Sequence, residues 1–269
     1  MPTARFFGTC SRPDTHDICL LIRIFCRNLV SEADSTLHQM STISLISFDL
    51  DHTLFDFDRT LNEALLAVSR YLEIEGDYLV TPSKLQEHRN EIAATSDGGS
   101  MKLLDLRRAS FAVALCTHPN KERLVEGAMH VFETSRFGDQ YLYPGSESVL
   151  KTLSQSYRLA ALTNGNTDPA VTSLAGLFEA TIFAETYGYK KPDKRIFELM
   201  LSSLGIEDAT SVLHVGDSLI TDVQGANEAG LKSVWFNPQG KSNRINISPS
   251  YEVTSLEQLL DIAPLLCSS

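Results

Sequence analysis

After Ile43 the chain alternates short apolar runs with segments of helical period, and this alternation narrows the possible folds more than any other feature. Ile43 to Phe48 is uncharged, mostly apolar and ends at Asp49, as a strand buried on both faces does. Asp58 to Leu72 then carries Leu61, Leu65, Val68 and Leu72 on one helical face. Residues 56–140 read as helical and polar-rich, with a Ser/Asp/Gly break at Ser96 to Ser100 and no strong strand signal. Beyond them, Glu147 to Leu153 predicts a helix, Arg158 to Leu162 a strand, Pro169 to Leu177 a helix and Thr181 to Ala184 a strand. Arg195 to Leu204 predicts a helix, Ser211 to Val215 a strand, Asp222 to Ala229 a helix and Ser233 to Phe236 a strand. Strands separated by helices pair in parallel with helices on both faces, which makes the expected class α/β. The helical stretch after the first strand is then a second, smaller module.

Open parallel sheets bind ligands outside the carboxyl ends of their strands. The residues there are Asp49 and Asp51, Thr163 and Asn164, and Asp217. Residues two apart in an extended segment point the same way, so Asp49 and Asp51 can face one site. One carboxylate can attack phosphorus while the other, held protonated, gives a proton to the leaving oxygen. Their mutual repulsion raises one pKa and favours that division. Taken alone, the pair also reads as two turn acids capping the next helix. Val215-Gly216-Asp217, with Asp222 beyond, adds carboxylates of the kind magnesium takes. Asp49 and Asp217 suit direct ligation and Asp222 a place behind them; helix capping by Asp217 or Ser218 is the plainer alternative. Thr163-Asn164-Gly165-Asn166 offers a hydroxyl and backbone N–H groups for phosphate oxygens, or simply an Asn-Gly turn. Lys191 precedes Pro192 and is therefore expected to be extended. It would project away from a helix starting near Pro192, to meet phosphate charge or to be solvated.

Composition sets the outer limits. The formal net charge of −11 over 269 residues repels a polyanionic backbone, which argues against nucleic acid polymers as partners. No apolar run approaches the roughly 20 residues that span a bilayer, so no membrane is expected. Cys10, Cys19, Cys26, Cys116 and Cys267 form no CxxC pair, and their odd count fits a reducing, cytoplasmic setting. Residues 1–39 make a poor signal peptide and are expected to be a disordered or wrongly assigned extension, with the native start at Met40. Gly240-Lys241-Ser242 ends like a P-loop, but Trp235 stands where the leading glycine is required. His214, in a buried strand, reads as structural. Phe55, Phe57 and Arg107 to Phe111 read as helix packing with a solvated arginine, or else as a face for a planar base and its phosphate.

The four segments Asp49 to Thr53, Leu162 to Asn166, Lys190 to Asp193 and Val215 to Asp222, in this order, resemble the haloacid dehalogenase-like (HAD) hydrolase superfamily over Ile43 to Leu260. The resemblance implies a Rossmann-like parallel-sheet core at residues 40–55 and 141–269, with a small inserted helical cap domain at 56–140. It implies that Asp49 is the nucleophile and Asp51 the general acid/base, with the Asp51 backbone carbonyl on the metal. Thr163, Asn164 and Gly165 would bind phosphate, Lys191 would stabilise charge, and Asp217 and Asp222 would complete an Mg²⁺ site. Dehalogenases of the superfamily lack the second aspartate of the first motif, so Asp51 favours a phosphatase. The expected substrate is a small phosphorylated metabolite such as a nucleotide, flavin mononucleotide or sugar phosphate, and the expected assembly is a monomer or homodimer. Leu162 to Asn166 and Leu213 to Ala226 are similar to bacterial flavin mononucleotide and riboflavin-pathway phosphatases. Phe55 to Asp58, Lys191 to Phe197 and Tyr251 to Leu256 are similar to pyrimidine 5′-nucleotidases. A 2-haloacid dehalogenase, a phosphomutase and a non-enzymatic relic are the competing readings.

Overall fold

The computed structural model describes residues 43–95, 101–138 and 141–265. The expected extension at 1–39, the start at Met40 and the break at Ser96 to Ser100 lie outside the described residues.

Six strands form one sheet: β1 (Leu45–Phe48), β2 (Arg158–Thr163), β3 (Ala180–Phe183), β4 (Val212–Gly216), β5 (Lys232–Phe236) and β6 (Tyr251–Val253). Their order across the sheet is β3-β2-β1-β4-β5-β6 and every pairing is parallel. β1 and β4 are buried at every residue, which is why neither alternates in polarity along its length. The helices are α1 (Phe57–Gly76), α2 (Pro82–Ala93), α3 (Leu103–Ala114), α4 (Lys121–Gly138), α5 (Ser146–Leu153), α6 (Ala184–Tyr187), α7 (Lys194–Ser203), α8 (Gly225–Glu228) and α9 (Leu259–Leu265).

Local chemistry sets the helix starts. The Asp56 side chain accepts from the Arg59 N–H at the start of α1, and Thr81 accepts from Lys84 N–H at the start of α2 with Pro82 in the first turn. Three apolar clusters follow. One face of the sheet packs Ile46, Phe48 and Leu213 with Val149, Leu153 and Leu259 from α5 and α9. The other face packs Leu45, Leu162 and Val212 with Ile196, Phe197 and Met200 from α7. A third cluster lies within α1–α4 and their connecting loops, built from Leu65, Val68, Leu72, Leu85, Phe111, Leu124 and Phe132. Leu61, read as part of that face, is only half-buried.

The structure departs from the sequence expectation in several places. Pro169 to Leu177 is not an α-helix; only Pro169–Val171 closes a 3₁₀ turn. There the Thr172 hydroxyl donates to the Pro169 carbonyl and accepts from the Leu174 N–H, satisfying locally the groups a helix would use. Leu174 is buried all the same, so the apolar spacing marked burial without marking backbone. The helix expected at Asp222 begins earlier, as a π-helical stretch at Leu219–Gln224 that runs into α8. The helix expected near Pro192 begins at Lys194, capped by Asp193, so Pro192 precedes the cap. Strand β6 and helices α6 and α9 were not anticipated, and Ala184, expected to end a strand, opens α6.

Because all six strands run parallel, the residues that follow β1, β2 and β4 emerge at one edge of the sheet. They line a cavity of about 400 Å³ together with Phe57 and Leu61 of α1, Arg89 of α2, Leu103, Leu104 and Arg107 of α3, and Phe132 and Arg136 of α4.

Candidate active site

At the end of β1, Asp49 is buried, and its backbone N–H donates to the Val215 carbonyl of β4 at 2.9 Å. Both of its carboxylate oxygens are held. Oδ1 accepts from Lys191 Nζ at 2.6 Å and Oδ2 from the Thr53 hydroxyl at 3.2 Å. The same ammonium donates to Asp222 Oδ1, also at 2.6 Å. Lys191 is therefore not a solvated lysine; its side chain is fully buried between two carboxylates. Asp222 is placed by backbone as well: its Oδ2 accepts from the Ser218 N–H at 3.0 Å. A Cβ at Gly216 would lie 2.3 Å from Asp222 Cγ, so only glycine admits the carboxylate there. One oxygen from each of Asp49, Asp217 and Asp222 lies within 4.8 Å of the others.

Burial and crowding set the charges. Burial pushes Asp49 up to about 8; Lys191 opposes this, Asp222 adds to it, and Asp51 contributes least of the named causes. The repulsion expected within the Asp49–Asp51 pair is thus a minor influence on Asp49, the expected nucleophile. Burial, with Asp222, pushes Asp217 up to about 6. For Asp222, burial is outweighed by Lys191 and His214, which hold its carboxyl below the usual range. Burial would lower Lys191, but Asp222 and Asp49 together hold its ammonium above the ordinary lysine value.

Asp51 lines the same cavity on its own set of partners. Its Oδ1 accepts from the Thr167 hydroxyl at 2.5 Å and lies 3.6 Å from Arg136 Nη2, which also donates to Thr167 at 2.7 Å. Thr163 Oγ1 accepts from the Gly165 N–H at 2.9 Å. Asn164 is committed elsewhere: its side chain donates to the Lys191 carbonyl and accepts from the Lys191 N–H, both at 2.9 Å. The asparagine therefore ties the loop after β2 to the loop that carries the lysine, and it is the backbone of Asn164 that is left for a ligand.

Sequence reasoning missed Arg136, Thr167 and Arg89. Arg136 is a cation in the last turn of a helix, a position common on exposed surfaces, and Thr167 carried no motif. His214 is buried as expected, but it reaches the site. Its ring pairs with Ser47 Oγ at 2.7 Å and Asp222 Oδ1 at 3.3 Å, and burial lowers its pKa. Trp235, noted only for spoiling a P-loop, donates its indole N–H to the Asp217 carbonyl at 2.8 Å. Phe55 is sheet core, whereas Phe57 faces the cavity with the Arg136 guanidinium 4.9 Å from its ring centre. Arg108 is partly exposed and paired with Glu126, but Arg107 is buried, against the expectation of a solvated arginine.

Comparison with known proteins accords with this geometry. The haloacid dehalogenase-like hydrolase model matches residues 43–230. A pyrimidine 5′-nucleotidase of Streptococcus pneumoniae is 29% identical over 228 residues, 80% of this chain and 92% of its own. A 5-amino-6-(5-phospho-D-ribitylamino)uracil phosphatase of Escherichia coli is 28% identical over 207 residues, 74% of this chain and 86% of its own. Among solved structures, a 2-haloacid dehalogenase from Pseudomonas syringae pv. Tomato DC3000 matches with a TM-score of 0.73 and 29% identity, covering 83% of this chain and 99% of that one. Sequence motifs, sheet order and these matches agree: the chain belongs to the haloacid dehalogenase-like hydrolases.

Proposed function

We propose that this enzyme hydrolyses a small phosphomonoester in a magnesium-dependent reaction that passes through an aspartyl-phosphate on Asp49. The observation that carries the reading is the set of three carboxylates, Asp49, Asp217 and Asp222, gathered within 4.8 Å beside Asp51 in one cavity. The donor set fits a hard dication. Every candidate ligand is oxygen, and the three carboxylates outnumber the Lys191 ammonium that bridges Asp49 and Asp222. Asp49, Asp217, Asp222 and the backbone carbonyl of Asp51 would hold Mg²⁺. When bound, the ion supplies charge that polarises the phosphoryl group and offsets the negative charge of the transferring oxygens.

The remaining steps belong to the chain. With its lone pair engaged by Gly165, the Thr163 hydroxyl turns its proton outward to a phosphate oxygen, beside backbone N–H groups of the Asn164–Gly165 loop. Lys191 adds positive charge from below and holds Asp49 in place for in-line attack. One Asp49 oxygen bonds to phosphorus as the ester P–O bond breaks. Asp51, held by Thr167 and Arg136, gives its proton to the departing alkoxide. A water then attacks the acyl phosphate, Asp51 takes up its proton, and inorganic phosphate leaves with Asp49 restored. Positioning and charge neutralisation supply most of the acceleration, as in phosphoryl transfer generally. Helices α1–α4 act as a cap that excludes bulk water.

The test is a phosphate-release screen over nucleotides, flavin mononucleotide and sugar phosphates with Mg²⁺, followed by rapid quench with labelled substrate. Mass spectrometry should find the phosphoryl group on the peptide that holds Asp49. A label on Asp51, or outside this motif, would sink the mechanism. The similarity to the 2-haloacid dehalogenase from Pseudomonas syringae supports a second reading. Halide release from a 2-haloacid, without phosphate release from any ester, would select it.

A further inference from the structure

Arg107 is a cation that the chemistry above does not use. It sits on α3 with 6% of its surface exposed, and its Nη2 donates to Gln86 Oε1 at 2.8 Å. Its Nη1 is buried without any acceptor, the one side-chain nitrogen or oxygen in that state among the described residues. Burying a charge is unfavourable unless a counter-charge and hydrogen bonds compensate it, so a guanidinium left half-satisfied calls for a partner.

Its surroundings indicate what that partner is. Arg107 lines the active-site cavity, with Arg89 and Arg136 on the same wall. Arg136 already has Thr167 and Asp51. Among the described residues Arg107 has no carboxylate partner: burial, then Arg89, then Arg136 push it down to about 10, which still leaves it charged at neutral pH. Around it the wall is apolar, with Leu103, Leu104 and the Phe132 ring, whose centre lies 5.1 Å from the guanidinium carbon. The scissile phosphate has its own cation in Lys191 at the sheet edge, so the unmet demand on the helical side is for a separate negative charge. A neutral carbonyl would satisfy the N–H and leave that charge uncompensated. A planar carboxylate satisfies both.

We infer that Arg107 binds a second anionic group of the substrate, a carboxylate, so that the preferred substrates are phosphomonoesters of small organic acids. The inference rests on the phosphatase reading and names the substrate class for that site. A cavity of about 400 Å³ suits a compact ligand of this kind.

The experiment compares kcat/KM for 3-phosphoglycerate, which carries the carboxylate, with glycerol 3-phosphate, which has a hydroxymethyl group in its place. Ribulose 1,5-bisphosphate supplies a second phosphate instead, uridine 5′-monophosphate a neutral planar acceptor, and p-nitrophenyl phosphate neither. The acid is expected to exceed the alcohol by about 10- to 100-fold, the range typical of a buried charge-assisted hydrogen bond. In Arg107→Met that ratio should collapse toward one. Arg107→Lys, which keeps the charge and loses the planar fork, should give an intermediate ratio. Because each ratio is taken on a single preparation, the fraction of folded enzyme cancels, and the wild-type ratio requires no variant. A wild-type ratio near one, a ratio that survives Arg107→Met, or a preference for the nucleotide overturns the inference while leaving phosphatase activity intact. A clear preference for the bisphosphate overturns the carboxylate and assigns the second anion as phosphate. If none of the five releases phosphate but another ester of the wider screen does, this inference is overturned and the phosphatase reading stands; if no ester does, both fall.

Discussion

Adding one methyl group at Gly165 tests the role of Asp51 without touching Asp51. A Cβ there would lie 2.2 Å from Asp51 Oδ2 and 3.3 Å from Thr163 Oγ1. Ordinary contact begins near 3.4 Å, so the carboxylate must withdraw by about 1.2 Å (3.4 − 2.2). The obstacle is the tip of a flexible side chain rather than backbone, so Gly165→Ala should fold. Asp51, however, moves away from the position in which Thr167 and Arg136 hold it. A displacement of about 1 Å in a reacting group costs on the order of 10²-fold in rate, and loss of a general acid/base costs roughly 10²–10⁴-fold. Turnover of an alkyl phosphate such as glycerol phosphate should therefore fall about 100-fold or more. p-Nitrophenyl phosphate, whose leaving group needs no proton, should lose much less. The assay is steady-state phosphate release on both substrates with Mg²⁺, alongside thermal melting. The melting temperature should move by no more than about 4 °C, which for a chain of this size is near 1 kcal/mol. Wild-type turnover of the alkyl phosphate, or equal losses on both substrates in a well-folded variant, would refute the placement of Asp51 as proton donor.

Three further outcomes follow from the same site. Asp49→Asn should abolish phosphoenzyme, because a neutral amide does not attack phosphorus, whereas Asp51→Asn should slow turnover by about 10²–10⁴-fold and accumulate labelled Asp49 on rapid quench. Lys191→Met leaves the buried Asp49 and Asp222 facing each other without their cation. Breaking a buried ion pair in this way costs about 3–5 kcal/mol, measurable by denaturant unfolding, and Mg²⁺ should restore part of the loss. Asp49 and Asp217 stand raised from their ordinary 3.8 to about 8 and about 6, so the folded chain keeps protons that the unfolded chain releases. Without a divalent ion, their contribution to stability is full below about pH 4 and declines as pH rises through about 6 and then about 8. A dication competes with those protons, so the gain in melting temperature from Mg²⁺ over a chelator should be small near pH 5 and grow toward pH 8. A gain independent of pH would contradict this.

The sheet was legible because buried parallel strands are written as short, mostly apolar runs, and Leu45–Phe48 and Val212–Gly216 have little else they can be. Their carboxyl ends were legible for the same reason, since Asp49 and Asp217 follow directly. What sequence did not disclose was pairing. Asn164 looked like a phosphate ligand because it stands in a Thr-Asn-Gly turn after a strand, but its amide matches the Lys191 backbone 27 residues away. Arg136 of α4 and Thr167 meet Asp51 only through tertiary contacts between distant segments, and nothing local records that. The failure at Pro169 to Leu177 is of another kind: Leu174 and Leu177 carry helical spacing, but the Thr172 hydroxyl engages the backbone before a second turn can form. A three-residue strand such as β6, with Glu252 exposed at its centre, is too short to show any period.

The apolar cluster of α1–α4 shares no residue with the two clusters that hold the sheet. Changes inside the helices therefore leave the packing around Phe48, Leu162 and Val215 untouched, and their effects on stability should add to those of sheet mutations rather than couple with them. Under selection, such a separation makes the helices exchangeable. Drift at Gln86, Arg107 or Phe132 can alter what the cavity admits while the ion pair of Asp49 and Lys191 stays as it was. A single duplicated gene could then give rise to enzymes with one shared reaction and divergent diets, each needing only a handful of substitutions above the sheet edge.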